Sequence, residues 1–198
     1  MDSLELLYDH YKETINHSNQ MQSKRNTLVV YVCIMELLNI IMLFFPELFS
    51  QVLFAYLKAN YSITIDTVSV LLPSFVWTLT LYVLVRYYQT TIYIERQYTY
   101  MAKLESEISD KIKFAEFKRE STFYLSNYQK VLDIIHVFYT WIIPIAILII
   151  NIVKIALEWV AHMNCATTIF NSVICIFIIV LSCSYLCFIH PPKTDNNQ

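Results

Sequence analysis

Glycine is missing altogether: none of the 198 residues is Gly. Without it there is no glycine-rich loop to cradle a phosphate, no Walker or Rossmann fingerprint, and no GxxxG route to close helix contact. Charge is scarce too. Asp, Glu, Lys and Arg supply 15% of the residues, where a soluble domain carries about 25%. The net charge of −2 gives no basis for nucleic-acid binding. Four of the five cysteines (Cys33, Cys175, Cys183, Cys187) lie inside apolar runs, where Cys behaves as a small hydrophobe. Cys165 sits near a helix mouth, and a free thiol is expected there rather than a disulfide framework. The histidines (His10, His17, His136, His162, His190) show no metal-ligand spacing, and there is no nucleophile elbow. The expectation is therefore no enzyme, no metal and no cofactor.

What the chain has instead is long apolar runs. Hydrophobic residues make up 57% and mean hydropathy is +0.47. A helix needs roughly 20 apolar residues to cross a bilayer, and residues 131–157 meet that length. Yet this run carries Asp133, His136, Thr140, Asn151 and Lys154, at steps of 3, 4, 11 and 3. At about 100° per residue these five, with Pro144 and Ile147 between them, fall within an arc of roughly 80°. A polar seam is predicted along one side of an otherwise apolar helix. Pro144 cannot donate to the carbonyl of Thr140, so a kink with a free acceptor is expected on that seam.

Three further spans follow from the same reading. Residues 27–45 end before Pro46 and carry Glu36 at their centre, with Asn39 one turn on along the same face. Residues 67–85 contain Pro73 and a run of hydroxyls, then leave through Arg86, Tyr87 and Tyr88, residues of the interfacial-anchor type. Residues 166–189 carry Thr168, Asn171, Cys175 and Ser182 on one face before His190-Pro191-Pro192. Residues 1–26 form an amphipathic helix feeding the first span, through Leu4, Leu7, Tyr8, Tyr11 and Ile15. No cleavable signal peptide is expected. Residues 47–58 read as a short interfacial helix.

Most charge lies in residues 89–130. Ile94, Tyr98, Met101, Leu104, Ile108 and Ile112 form one apolar stripe, and Phe114, Phe117, Tyr124, Tyr128 and Val131 another. The predicted structure is a coiled-coil-like helical hairpin turning near residues 109–113 or 120–122. Exposed Tyr is enriched at interfaces, so Tyr98, Met101, Leu104, Ile108 and Ile112 are the candidate partner-binding face. Lys and Arg number three in the N-terminal segment, eight in residues 86–130 and one in the tail, against Lys58 and Lys154 alone for the opposite side. The positive-inside rule then puts both termini and the hairpin in the cytoplasm.

The expected fold is all-α: an integral membrane four-helix bundle with a cytoplasmic hairpin between spans 2 and 3. Its segments are 1–26, 27–88, 89–130, 131–190 and a polar tail, 191–198. An ionisable group near mid-membrane costs several kcal/mol unless paired, hydrated or protonated. Counting from the inner face sets Glu36 level with Thr140, Thr78 or Thr80, and Ser182. Asn151 and Lys154 come level with Asn171 and Thr168 in the outer half, and Asp133 can pair with His136 at the inner mouth. Interhelical glue, contributing about 0.6–2 kcal/mol per bond, explains Thr140 and Asn151 as well as a pathway does. Glu36 fits glue less comfortably.

Two segments carry a resemblance. LYDHYKETINHSNQMQSKRNTL leads into the span with central Glu36, and YYQTTIYIERQYTYMAKLE follows the second span. They resemble small uncharacterised bacterial multi-pass membrane proteins, and the arrangement over residues 6–105 is similar to SLATT-type membrane effectors. That resemblance implies an effector that permeabilises the inner membrane in anti-phage defence. This chain departs from that plan by adding a second pair of spans. Three functions are expected from the seam and hairpin together. The first is a homo-oligomeric channel-like protein gated by a cytoplasmic partner. The others are a membrane-anchored interaction subunit and a small solute or proton-coupled transporter.

Overall fold

A computed structural model describes residues 3–45, 51–52, 55–56, 59, 68–112, 137–161 and 165–189. Four long helices account for nearly all of them, and there is no strand among the described residues. They are α1 (Ser3–Phe44), α2 (Val68–Ile112), α3 (Ile143–Val160) and α4 (Cys165–Ile189), with α3 entered through a π-helical turn at Phe138–Ile142. Three helical stretches are long and apolar enough to cross a membrane: Leu4–Phe44, Phe138–Val160 and Cys165–Cys187.

The absence of glycine shows first in helix length. Nothing between Ser3 and Phe44 breaks a helix, so the amphipathic N-terminal segment and the first apolar run form one rod of 42 residues. At 1.5 Å per residue it is about 63 Å long, twice the roughly 30 Å of a hydrocarbon core. The 45 residues of α2 behave alike, running unbroken through Arg86. The helices pack in the cyclic order α1–α2–α4–α3. Tyr11 meets Glu105, and Asn39 meets Thr80, so α1 and α2 are antiparallel along their length.

This pairing has two parts. Beside α3 and α4, Val32, Trp77, Leu84, Tyr87, Tyr88, Ile147, Ile174, Cys175, Ile178 and Tyr185 make one core. Beyond those helices, among the described residues, α1 and α2 continue as a paired stalk, closed by Tyr11, Leu104 and Ile108 with Leu7 and Ile15 against them. Outward, all four helices show apolar side chains: Leu37 and Ile34, Phe75, Ile149 and Val153, Phe177 and Val180. Polar inside and apolar outside is what hydrocarbon solvent selects.

The stalk changes the expected hairpin. Residues 89–112 pack on the N-terminal half of α1; residues 109–112, at the first expected turn, are still helical, while residue 113, the second leg and the alternative turn at 120–122 lie outside the described residues. Met101, Leu104 and Ile108 are buried against or beside α1, which leaves only Tyr98 and Ile112 of the proposed docking face exposed. The stripe is spent inside the chain because residues 3–20 present a matching apolar face. The Tyr11 hydroxyl donates to Glu105 Oε1 at 2.8 Å in this interface. A hydrogen bond to a charged acceptor contributes about 1.5–3 kcal/mol. Tyr11→Phe should therefore loosen the stalk by that amount, read as faster amide exchange in residues 3–20 with the rest unchanged.

The π turn answers the proline. Pro144 has no N–H to give, and the neighbouring Ile143 N–H reaches back five residues to the carbonyl of Phe138. One carbonyl loosened by the turn is met from another helix: Tyr87 Oη donates to the carbonyl of Tyr139 at 2.5 Å. The irregularity takes the form of a π turn, and the carbonyl that a side chain of α2 meets is that of Tyr139, not the expected one of Thr140.

Candidate functional site

The predicted seam faces inward. Thr140, Pro144, Ile147, Asn151 and Lys154 are all buried, and the helix extends the row one turn to Glu158, also buried. Glu158 lies one residue beyond the apolar run read as 131–157. It belongs to the seam at the next step of four, and its exposure is 2%.

Two carboxylates anchor the site. Glu158 accepts from three directions: Trp77 Nε1 of α2 at 2.8 Å, Asn171 Nδ2 of α4 at 2.9 Å, and the Lys154 ammonium at 3.5 Å. Lys154 also donates to Asn39 Oδ1 of α1 and lies 4.0 Å from the centre of the Trp77 ring, a distance at which a cation is attracted to an indole face. Asn39 Nδ2 in turn donates to Thr80 Oγ1 at 2.9 Å, and Thr80 Oγ1 to the carbonyl of Val76. Every helix thus contributes to one connected cluster around Lys154 and Glu158.

Glu36 is held more sparsely. Asn151 Nδ2 donates to its Oε1 at 2.7 Å and to the carbonyl of Ile147 at 2.8 Å. The Cys175 thiol approaches the carbonyl of Asn151 at 3.7 Å. Glu36 Oε2, Asn151 Oδ1 and Asn171 Oδ1 are buried with no hydrogen-bond partner among the described residues. The site is thus a closed cluster that keeps unused acceptors beside Glu36 and, at Asn171, beside Glu158.

Below it, toward the stalk, lies a tyrosine layer. Tyr88 stacks on Tyr185 with ring centres 4.2 Å apart and donates to Ser182 Oγ at 2.9 Å. Tyr87 packs beside Tyr88, and the Arg25 guanidinium sits 4.1 Å over the Tyr139 ring. Tyr87 and Tyr88 were expected as interfacial anchors. They are instead buried, because they fall on the α2 face that meets α4 and the π turn.

Of the sequence-derived residues, the structure joins Glu36 to Asn151, Asn39 to Lys154, and Asn171 to Glu158. It separates others: Ser182 lies in the tyrosine layer, on Tyr88, and not at the level of Glu36. The depth count assumed that each apolar run begins at a common plane, and residue counts alone do not set the relative heights of neighbouring helices. Asp133 and His136 lie outside the described residues. No group of three or more His, Cys, Asp or Glu able to hold a metal occurs among the described residues. Trp77, Glu158 and Tyr185 were missed by sequence reasoning. Only Glu158 had a readable signal there, its spacing from Lys154.

No family model, curated protein or solved structure matches the chain.

Proposed function

We propose that the chain is a four-span, homo-oligomeric inner-membrane effector of the channel-like kind, opened by a cytoplasmic partner. Both termini and the stalk are on the cytoplasmic side in this reading. The observation that carries it is mechanical. Glu36 and Asn39 sit on the same unbroken helix as Tyr11, and Trp77 and Thr80 on the same helix as Glu105. A displacement of the stalk arms is therefore transmitted along rigid rods to the residues that close the polar cluster. When α1 and α2 part from α3 and α4, groups now bonded to one another become a lining for water and ions. An oligomer supplies the remaining wall. The resemblance to SLATT-type effectors gives the same direction, with anti-phage defence as the setting.

A membrane-anchored interaction subunit is the second reading, favoured by Tyr8, Tyr93, Tyr98 and Tyr100 standing exposed on the stalk. Induced expression with a membrane-potential dye separates the two. The channel reading predicts depolarisation that Glu36→Leu or Asn151→Leu alters. If both variants depolarise cells as the wild type does, or neither they nor the wild type do so under any activating condition, the anchor reading stands.

A further inference from the structure

Glu36, Glu158 and Lys154 are buried together among the four helices. Two carboxylates face one ammonium, and the groups packed around them do not correct the count. From α1 there is the Asn39 amide, and from α2 the Trp77 indole, the Thr80 hydroxyl and the Tyr88 phenol. From α4 come the Asn171 amide and the Cys175 thiol. Phenol and thiol are uncharged near neutral pH. Among the described residues, one negative charge is left over.

The hydrogen bonds show where it falls. Glu158 is met by three donors, one of them the ammonium. Glu36 is met by the single Asn151 amide, and its Oε2 has no partner among the described residues. Asn151 Oδ1 is likewise without one. Both atoms are acceptors in residues at least nine-tenths buried. Acceptors without donors call for a positive ligand, and a surplus of one charge calls for a monovalent one. A divalent ion would leave the apolar interior as unbalanced as before, with opposite sign.

We infer that Glu36 and Asn151 form the site of one exchangeable monovalent cation, a proton or an alkali ion, whose binding neutralises the bundle interior. The site stands on the geometry of the bundle and does not require that the bundle conduct. Its loading closes the account at zero net charge, and its loss leaves an uncompensated buried carboxylate, whose need for water favours parting α1 from α3.

The test uses the full-length protein in detergent or nanodiscs, with thermal unfolding followed in sodium, potassium and choline chloride at one ionic strength. An alkali-ion site predicts a rise of about 3–6 °C in Tm at tenfold excess over Kd, in sodium or potassium and not in choline. A proton site predicts equal Tm in the three salts and a carboxylic-acid C=O band in the infrared that is lost in Glu36→Gln. In both cases Glu36→Gln folds, has the Tm of the loaded wild type and ignores the salt, because its amide removes the surplus charge and adds a donor. The inference is overturned by a wild type with neither alkali dependence nor a Glu36-dependent acid band. It is equally overturned by a Glu36→Gln protein that fails to fold. Dye depolarisation plays no part in these readouts, so failure here is distinguishable from failure of the channel reading.

Discussion

Glu158→Leu is expected to lose about 3–5 kcal/mol of stability, the usual cost of removing one member of a buried ion pair. Three donors lose their acceptor at once: the Lys154 ammonium, the Trp77 indole N–H and the Asn171 amide. Lys154 is 3% exposed and cannot reach water without parting the helices. Against a total stability of about 5–15 kcal/mol, that loss brings the bundle near its unfolding threshold at ordinary temperature. Adding Lys154→Met to Glu158→Leu should recover part of the loss, since it removes the unpaired buried ammonium. Asn39, Trp77 and Asn171 would then each lack one bond, at about 1 kcal/mol apiece, so recovery stays incomplete. Thermal unfolding in detergent reads both variants. A single variant within about 0.5 kcal/mol of wild type would mean that Glu158 does not sit among those donors.

Deleting residues 1–20 should have a comparably large effect confined to the stalk. Leu104 and Ile108 are buried by Tyr11, Leu7 and Ile15, and each fully buried apolar side chain contributes about 1.5–3 kcal/mol. Allowing for residual compactness in the opened state, the paired arms gain on the order of 3 kcal/mol, or about a hundredfold in the opening equilibrium. Amide exchange in residues 94–112 should therefore quicken by about two powers of ten, while residues 143–160 and 165–187 keep their protection. The bared stripe of Met101, Leu104 and Ile108 should also raise the particle mass in detergent through association. Unchanged exchange in residues 94–112 would show that these residues find their cover elsewhere.

Much of this was legible from spacing alone. Apolar runs gave the helices, and the steps between Thr140, Asn151 and Lys154 gave the inward face of α3, because lipid tolerates polar groups only where they meet others. Glu36 and Asn39 announced themselves as polar residues one turn apart inside an apolar run. The pairings were less accessible. Which rung of one helix meets which rung of its neighbour depends on relative height, and no residue marks the membrane plane sharply enough to set it. Glu36 therefore found Asn151 and not Thr140. Trp77 and Tyr87 looked like ordinary apolar or interfacial residues, and only packing turns their polar tips toward Glu158 and the Tyr139 carbonyl. The stalk was half visible. Of its two stripes, Leu7, Tyr11 and Ile15 meet Leu104 and Ile108 while Tyr8, Tyr98 and Ile112 stay exposed, and a sequence does not say that the N-terminal stripe would cover the other.

The claim beneath all of this is that polar groups of different helices meet inside the bundle, away from lipid. Cysteine cross-linking in native membranes tests it most directly, in a background lacking the five native cysteines. Glu36→Cys with Asn151→Cys should form a cross-link within one chain on mild oxidation or with a short bismaleimide. The neighbouring pair Leu37→Cys with Ile152→Cys, whose native residues point outward, should not. Cross-linking of the outward pair with none between positions 36 and 151 would contradict the account.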